Sequence, residues 1–260
     1  MSSSDDIEQN SSDSLERSIY SDLLPLMCPY SKEFFNAEYG RGTETYIKRL
    51  KFIGLTGHKR VLDAGGGIGQ WALALARENE RVDVVDIRTD RLLIGQSIAQ
   101  RTGVRNVTFQ YGNIESLPFP DQSFDALICY SVFMFADRFK GIREFKRVLR
   151  PGGKLYVMVD LWRWPFSTVP AGIRRFIYAL KFFVKKIIGI GPTLYSRSSF
   201  DNLIASNGFT IIRQGQEGFS YFGDEEKTVD PRLVFYSPEP QGSEKLWEIC
   251  ALRNGESRET

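Results

Sequence analysis

Hydrophobic residues between about positions 60 and 160 form short apolar runs that alternate with longer segments of helical spacing. Short apolar runs bounded by turn residues are typical of buried strands, and apolar residues at i, i+3, i+4 and i+7 are typical of helices. Strands regularly separated by helices favour a parallel sheet that is covered on both faces. The pattern predicts strands at 60–63, 82–86, 107–111, 126–130 and 154–159, and helices at 69–79, 91–102 and 139–149.

A further helix is predicted before the first strand. Thr43 stands where a capping residue is expected, and the apolar residues that follow it keep to one helical face. These residues are Tyr46, Ile47, Leu50 and Ile53.

The alternation resumes near residue 197. Ser198 and Asp201 have the spacing of a capping box, which predicts a helix that stops at an Asn-Gly pair. Strands are expected near 209–214 and 232–237. The last stretch, about 239–260, is polar apart from a few apolar residues, and we expect a short surface helix and a frayed end there.

Residues 161–200 interrupt the rhythm of strands and helices, with seven Lys or Arg and no acidic residue. Within them, residues 173–190 place apolar side chains on one helical face and basic side chains on the other. One interpretation is a lid helix that buries its apolar face on its own domain. The other is an amphipathic helix that contacts a membrane surface or an acidic partner, and the two are compatible.

These features suggest how the chain is organised. The opening residues are rich in Ser and acidic side chains, so residues 1–17 are expected to form a disordered tail. Residues 18–57 are expected to be a helical segment, and residues 58–240 one α/β domain that contains the insertion at 161–200. Residues 241–260 are expected to be a C-terminal tail.

Composition and charge narrow the class of protein. Among 260 residues, 42% are hydrophobic and 25% charged, and the net charge of +2 gives no sign of a nucleic-acid binder. Cys28, Cys129 and Cys250 are widely spaced, so neither a disulfide framework nor a zinc site is indicated. With a polar N-terminus and no long apolar run, neither a secretory signal nor a spanning helix is expected. We expect a cytoplasmic protein, with peripheral membrane contact through 173–190 as an option.

The stretch "VLDAGGGIGQ" places a glycine-rich loop between the first strand and the next helix. Read from Gly67, it satisfies a dinucleotide-binding pattern, and Asp86 lies about 20 residues on, where an acid meets a ribose. Asp63 argues against a dinucleotide, because a carboxylate within ~4 Å of a pyrophosphate costs roughly 1 to 4 kcal/mol per charge. The same carboxylate favours a ligand that carries a cation, such as S-adenosylmethionine.

Four segments resemble, in order, the motifs of class I S-adenosylmethionine-dependent methyltransferases of the type 11 kind. They are "VLDAGGGIGQWALALA", "VDVVDI", "YGNIESLPFPDQSFDALICY" and "FKRVLRPGGKLYVMV". The similarity covers about residues 58–160 and resumes around 197–214. The resemblance implies an α/β fold, a Rossmann-like three-layer sandwich. Its seven-stranded, mostly parallel sheet has an antiparallel last strand, with a helical lid insertion after strand five.

The resemblance also implies that S-adenosylmethionine lies across the carboxyl ends of the first strands and becomes S-adenosylhomocysteine, with no metal. Asp86 matches the acid that accepts both ribose hydroxyls, and Ile87 would lie against adenine. Asn113 and Ile114 fall where the family usually has Asp and an apolar residue, so the Asn113 amide oxygen would take over the adenine contact. The residues that match the methionine-binding loop are Asp63, Ala64, Gly65 and Gly67.

Other residues are expected around the reacting groups. Tyr130, just after the fourth strand, is expected near the transferred methyl group, and Arg41 is expected to pair with the cofactor carboxylate. The acceptor is expected to meet aromatic residues, namely Tyr39, Trp162, Trp164 and Phe176. No catalytic residue is assigned, because the resemblance implies no universal base.

Structural readings compete with functional ones at several positions. Asp86 is also placed to cap the following helix. Asp125 is expected to hold a turn, and His58, the only histidine, to be a surface residue far from the site. Trp71 and Phe135 are expected in the core rather than against the cofactor.

The function expected is methyl transfer to an O, N or C nucleophile of a small-molecule or lipid-like acceptor. Positioning and desolvation can supply much of the catalysis, since a sulfonium is already a good leaving group. Two alternatives stay open. One is a non-catalytic protein that binds S-adenosylmethionine or a nucleotide in a regulatory role, and the other is a nicotinamide-dependent oxidoreductase.

Overall fold

The computed structural model describes residues 22, 42–161, 193–216, 219–222, 225–228 and 246–255. Only the backbone is described for residues 219–222 and 225–228. Helices α1 to α5 of this part are Thr43–Ile53, Gln70–Glu78, Thr89–Arg101, Arg138–Val148 and Arg197–Ser206. Strands β1 to β5 are Val61–Ala64, Val82–Asp86, Val107–Tyr111, Phe124–Tyr130 and Leu149–Asp160. Strands β6 to β9 are Phe209–Gln216, Phe219–Phe222, Glu225–Thr228 and Leu246–Arg253, and a 3-10 turn, η1, covers Phe133–Phe135.

All nine strands join one sheet in the order β3-β2-β1-β4-β5-β9-β6-β7-β8. Strands β3, β2, β1, β4 and β5 are parallel, and β9 is antiparallel to both of its neighbours, β5 and β6. The first seven strands of this order are therefore the predicted mostly parallel sheet with an antiparallel last strand. Strands β7 and β8 form an antiparallel pair that extends the edge beyond β6.

Alternate residues of the central strands face two different apolar layers, because side chains along a strand point to opposite faces. Leu127 and Val157 pack in a cluster with Ile142 and Phe145 of α4 and with helix α5. Ala126 and Ile128 of β4 belong instead to the cluster that contains α1 and α2. The predicted three-layer sandwich is confirmed.

The N-terminal helix α1 buries the predicted apolar face. Tyr46, Ile47, Leu50 and Ile53 are all 5% exposed or less. The predicted cap is wrong by one position: Gly42 caps the helix with φ 75°, and Thr43 is the first helical residue.

Two other local predictions are corrected in the same way. The capping box of α5 is formed by Ser196 and Ser199, whose side chains each accept from the other residue's backbone N–H. Ser198 and Asp201 do not form it, and Asp201 instead accepts a hydrogen bond from Trp247 Nε1 at 2.9 Å. The turn predicted before the fifth strand lies inside β5, as a bulge where the pairing with β4 jumps from Leu149 to Lys154.

The largest correction concerns the last part of the chain. Residues 246–253 do not form a surface helix: they form strand β9, in which all but one residue is buried. This strand lies between β5 and β6, so it belongs to the sheet and not to a C-terminal tail. Several predicted segments lie outside the described residues. They are the tail at 1–17, most of the insertion (residues 162–192) with its predicted helix 173–190, and the predicted strand at 232–237.

A buried ion pair connects α1 to β9. Arg49 Nη2 donates to Glu248 Oε2, and both side chains are 0% exposed. Tyr156 of β5 donates its hydroxyl to the same carboxylate oxygen at 3.0 Å. The carboxylate is thus held by a neighbouring cation and a neighbouring hydroxyl, in a place where water does not reach it.

We predict that Glu248→Ala lowers the free energy of unfolding by about 3 to 5 kcal/mol, because it leaves the Arg49 charge buried without its partner. Urea denaturation of the two proteins measures the difference. Lys51→Ala serves as control, since Lys51 is 60% exposed and its ion pair with Glu78 spans 3.5 Å; it should cost less than about 1 kcal/mol. Equal losses for the two variants would contradict a structural role for the buried pair.

Candidate cofactor site

The carboxyl ends of four neighbouring parallel strands bring the candidate residues together. Strands β3, β2, β1 and β4 are adjacent in this order, so their last residues meet along one edge. Ligands of open α/β sheets bind at this edge. The residues placed there are Asp63 and Ala64 of β1, Asp86 of β2 with Ile87 after it, Tyr130 of β4, and Asn113 and Ile114 just beyond β3.

The glycine loop after β1 is fixed by hydrogen bonds to the end of β2. The N–H groups of Gly65 and Gly66 both donate to the carbonyl of Val85, at 2.7 and 3.1 Å. The N–H of Gly67 donates to Asp86 Oδ2 at 2.9 Å. The loop and the acid at the end of β2 are therefore one connected unit.

Glycine is required at two positions of this loop. Gly67 has φ 55°, a left-handed conformation that side chains rarely adopt. At Gly66 a Cβ atom would lie 2.5 Å from Asp63 Oδ2 and 2.6 Å from Val84 Cγ1. The Asp63 carboxylate thus lies directly against the loop backbone.

Asp63 is a buried acid with an unsatisfied oxygen. Its residue is 1% exposed, and among the described residues Oδ2 has no hydrogen-bond partner. Burial, and secondarily the charge of Asp86, raise the pKa of Asp63 to about 8. Such a group accepts a cationic or hydrogen-bond-donating ligand readily, because the ligand would satisfy an oxygen that is already desolvated.

Sequence reasoning missed Gln70, the first residue of α2. It is 8% exposed, and its Oε1 atom is also a buried acceptor without a partner in the described part of the chain. Asp63 and Gln70 therefore place two unsatisfied acceptors on either side of the glycine loop. The signal that could have found Gln70 is its position, a polar residue directly after the last glycine of the motif.

Asp86 does not cap the next helix. The cap of α3 is Arg88, and no side chain accepts from the helix there. Instead each Asp86 oxygen accepts one backbone N–H, Oδ2 from Gly67 and Oδ1 from Arg88 at 2.8 Å. These two bonds orient the carboxylate and leave further lone pairs for a ligand, since a carboxylate has about four acceptor positions.

The three residues assigned to adenine differ in what they present. Ile87 is 60% exposed, an apolar side chain directly beside Asp86. Ile114 is 5% exposed and packs in the core with Leu62 and Val85. Asn113 is exposed, but its Oδ1 atom already accepts from the Glu115 N–H at 2.9 Å, so only its second lone pair is left for an adenine amino group.

Aromatic residues hold the end of β4 against α2. Trp71 is 2% exposed, and its ring contacts Tyr130 and Tyr46 at centroid distances of 4.9 Å each. Trp71 is a core residue, as predicted, whereas Phe135 is 67% exposed and the core prediction for it is wrong. Tyr130 is 8% exposed, and its predicted place beside the methyl group stays a prediction.

Asp125 and His58 have structural roles at the opposite edge of the sheet. Asp125 accepts from the Arg60 N–H at 2.9 Å and pairs with Arg150. His58 is half-buried, and its Nε2 atom lies 3.2 Å from the Gly54 carbonyl oxygen. Five site predictions, Tyr39, Arg41, Trp162, Trp164 and Phe176, lie outside the described residues.

Within the described ranges no group of three His, Cys, Asp or Glu residues is placed to hold a metal ion. None of the helices in those ranges is long and apolar enough to cross a bilayer.

Comparisons with known proteins agree with this geometry. Residues 61–153 match the family model described as a methyltransferase domain. The uncharacterized methyltransferase YcgJ of Bacillus subtilis is 38% identical over 139 residues, which cover 51% of this chain and 53% of that protein. The ubiquinone/menaquinone biosynthesis C-methyltransferase UbiE of Proteus mirabilis is 37% identical over 114 residues, 42% of this chain and 45% of that protein. The chain thus spans about half the length of the curated relatives it matches.

Solved structures share the fold. The crystal structure of YcgJ aligns with a TM-score of 0.55 at 22% identity, over 82% of this chain and 99% of that one. Geranyl diphosphate C-methyltransferase from Streptomyces coelicolor, in complex with Mg²⁺, geranyl diphosphate and S-adenosylhomocysteine, aligns with a TM-score of 0.58 at 18% identity. That alignment covers 81% of this chain and 77% of that one. At such identities the likeness shows the fold alone.

The match of residues 61–153 identifies a methyltransferase domain in this part of the chain. Its motifs resemble those of the class I S-adenosylmethionine-dependent methyltransferases, and the solved structures share its fold.

We predict that Asp63→Asn removes a pH-dependent loss of stability from the unliganded protein. The folded protein keeps the Asp63 proton up to a pKa of about 8, whereas the unfolded chain loses it near the ordinary aspartate pKa of 3.8. The protonated Asp63 side chain therefore makes its full contribution to the free energy of unfolding below pH 4. This contribution declines by roughly 1 kcal/mol per pH unit as pH rises from 4 towards 8. Urea midpoints at pH 5, 6, 7 and 8 should therefore fall less steeply in Asp63→Asn than in the wild type.

Glu80→Gln provides the control for this titration, because Glu80 is exposed and lies beside His58, at the edge of the sheet opposite the glycine loop. It should leave the pH dependence of the urea midpoint unchanged. An Asp63→Asn profile parallel to that of the wild type would show that Asp63 is already ionised in the folded protein.

Proposed function

We propose that this protein transfers the methyl group of S-adenosylmethionine to a lipid-like small molecule. The observation that carries the proposal is the pair of acids at the glycine loop. Asp63 is buried against the loop with an unsatisfied oxygen, and Asp86 is oriented by two backbone N–H groups at the end of the next strand. The two carboxylates suit a ligand with a cation at one end and a diol at the other.

When bound, S-adenosylmethionine supplies a methyl group on a sulfonium centre that leaves readily. The Asp63 carboxylate and the Gln70 amide oxygen would hold the ammonium group of its methionine part. Asp86 would accept from the ribose hydroxyls, and the exposed side chain of Ile87 would cover one face of adenine. Arg41 is proposed to pair with the cofactor carboxylate, and Tyr130 to lie beside the sulfonium.

The acceptor is proposed to be apolar with one nucleophilic atom. Support comes from the relative UbiE, a C-methyltransferase of ubiquinone/menaquinone biosynthesis, and from a protein of the same fold, geranyl diphosphate C-methyltransferase. Phe135 is a large apolar side chain that stays exposed beyond the end of β4, where an apolar acceptor would approach the site. A quinone-like ring is therefore the first acceptor to test, and Tyr39, Trp162, Trp164 and Phe176 are proposed to line its site.

Catalysis would then rest mainly on placing the nucleophile in line with the methyl group and removing water from it. We assign no general base. The part of residues 161–200 that precedes α5 is proposed as the cover that removes water. In support, Leu161 and Tyr195 pair in an isolated β-bridge, so the segment between them leaves and returns at adjacent points beside β5.

The alternatives make different predictions about ligands. A nicotinamide dinucleotide would bring its pyrophosphate against the loop that covers Asp63, an acid that is already destabilised as an anion by burial. A non-catalytic binding protein would bind S-adenosylmethionine but transfer nothing. Ligand binding and turnover therefore separate the three functions.

We predict that Asp86→Ala weakens binding of S-adenosylhomocysteine roughly a hundredfold, which corresponds to about 3 kcal/mol for two charge-assisted hydrogen bonds. Isothermal titration calorimetry of the folded variant measures the dissociation constant. Asp90→Ala is the matched control, since Asp90 lies four residues after Asp86, is 55% exposed and forms an ion pair with Arg88. The affinity of this variant should stay within a factor of two of the wild type. An Asp86→Ala dissociation constant equal to that of the wild type, or tight binding of a nicotinamide dinucleotide, would refute this assignment.

We further predict turnover with a prenylated quinol that lacks a ring methyl group. The purified protein, S-adenosylmethionine labelled in its methyl group and the quinol should give a labelled lipid whose methyl group is on carbon by mass spectrometry. A prenyl diphosphate and a hydrophilic amine are the comparison acceptors. Transfer to the amine alone would refute the lipid-like acceptor, and binding of S-adenosylmethionine without transfer to any acceptor in a broad panel would favour the non-catalytic alternative.

A further inference from the structure

A surface that begins at the carboxyl edge of the sheet combines exposed aromatic rings with cations. Phe135 of η1 is 67% exposed, and Phe139 of α4 is 56% exposed. Arg138, Arg143 and Lys146 of the same helix are also exposed. We call these five residues the α4 surface.

The helical period explains why three of them share one face. Phe139, Arg143 and Lys146 are spaced i, i+4 and i+7, which places them along one stripe of α4. A different stripe of the helix, which includes Ile142, Phe145 and Val148, is 0% exposed and packs in the apolar core. Arg138 lies with its guanidinium 4.8 Å from the centre of the Phe139 ring.

The acids near this helix are engaged elsewhere. Asp137 accepts from the N–H groups of Phe139 and Lys140, which caps the helix. Glu115 accepts from the Asp137 N–H and lies 4.0 Å from Lys140. Asp121 and Glu144 both pair with Arg147, which lies beside the stripe.

In the described part of the chain, no carboxylate lies within ion-pair distance of Arg138, Arg143 or Lys146. Three cations thus lie along α4 beside two exposed phenylalanines, on a protein whose net charge is only +2, and the charges of Asp137 and Glu144 offset Arg143 only in part. An exposed apolar patch rimmed by one sign of charge marks an interaction surface. Its complement is a partner that is anionic at its surface and apolar immediately beneath.

We propose that the α4 surface docks on an anionic lipid bilayer. The phenylalanines would enter the boundary between headgroups and acyl chains, and the three cations would stay at the level of the lipid phosphates. An acidic protein would pair with the cations, but it would have no comparable use for two protruding rings. The contact lies beside the end of β4, so it would put the entrance of the candidate site next to the source of a lipid-like acceptor.

This inference goes beyond the proposed methyl transfer and is tested without it. The full chain is sedimented with vesicles of phosphatidylcholine containing 30 mol% phosphatidylglycerol, a composition chosen as an anionic probe, and with vesicles of phosphatidylcholine alone. We expect binding to the anionic vesicles that weakens as salt is raised. Absence of binding to anionic vesicles at low salt would overturn the proposal and leave the methyltransferase assignment standing.

Charge variants locate the contact. Arg138→Gln/Arg143→Gln/Lys146→Gln should lower the partition coefficient on the order of a hundredfold, from roughly 1 kcal/mol for each charge near an anionic surface. Lys48→Gln/Lys59→Gln/Arg105→Gln changes the net charge equally at three exposed residues on other elements. This control should bind the vesicles within about threefold of the wild type, because only charges near the anionic surface contribute to binding. Equal losses in both triple variants would mean that overall charge, and not the α4 surface, holds the protein on the lipid.

Apolar variants test insertion of the rings. Phe135→Ser/Phe139→Ser should lower vesicle binding at least roughly tenfold, because two large apolar side chains leave the lipid boundary. Leu93→Ser/Ile212→Ser removes two side chains of 66% and 44% exposure from other surfaces and is the matched control. Melting temperatures show that each variant is folded. Unchanged vesicle binding of the folded double Phe variant would overturn the proposed contact. The variant Lys181→Gln/Lys185→Gln/Lys186→Gln removes cations of residues 173–190, and loss of binding in this variant alone would overturn the proposal as well.

Discussion

The hydrogen bond from the Gly67 N–H to Asp86 is the interaction on which the site depends. It joins the loop after β1 to the end of β2, so that the two acids of the site keep a fixed relation to each other. Because Gly65 and Gly66 also bond to β2, the loop cannot shift without breaking several backbone bonds. The glycines permit the close approach, and the buried Asp63 carboxylate below them gives the loop its chemical preference.

Most of the parallel half of the fold could be predicted from the sequence. Strands β2 and β3 begin and end at the predicted residues, and the other predicted strands and helices differ by a few residues at their ends. One reason is that the central strands are buried on both faces and are therefore mostly apolar, which gives short, recognisable runs. The edge strand β3 instead alternates apolar and polar residues, which is also recognisable. The acids and glycines of the site could also be located, because the order of elements brings the ends of adjacent parallel strands to one edge.

The remainder depends on contacts between distant parts of the chain. Strand β9 carries Glu248 between apolar residues, and it lies within residues 239–260, whose largely polar composition predicts a surface helix instead of a buried strand. Its partner, Arg49, lies on the buried face of α1, 199 positions earlier in the chain. Neither charge is understandable alone, and only the tertiary structure brings them together. The core prediction for Phe135 is wrong for the opposite reason. An apolar residue is expected in the interior, whereas Phe135 lies on the surface beside the site.

The position of β9 has a consequence for how the protein forms on the ribosome. The last strand of the described chain pairs with β5 on one side and β6 on the other, so it is inserted between two strands made earlier. Until residue 253 has been synthesised, β5 and β6 each have an open edge, and the carboxylate that neutralises Arg49 does not exist. A nascent chain that has completed every element of the cofactor site would therefore still expose two strand edges, which are the features most prone to aggregation. The elements of the cofactor site are thus synthesised before the strand that completes the sheet, although both belong to one domain.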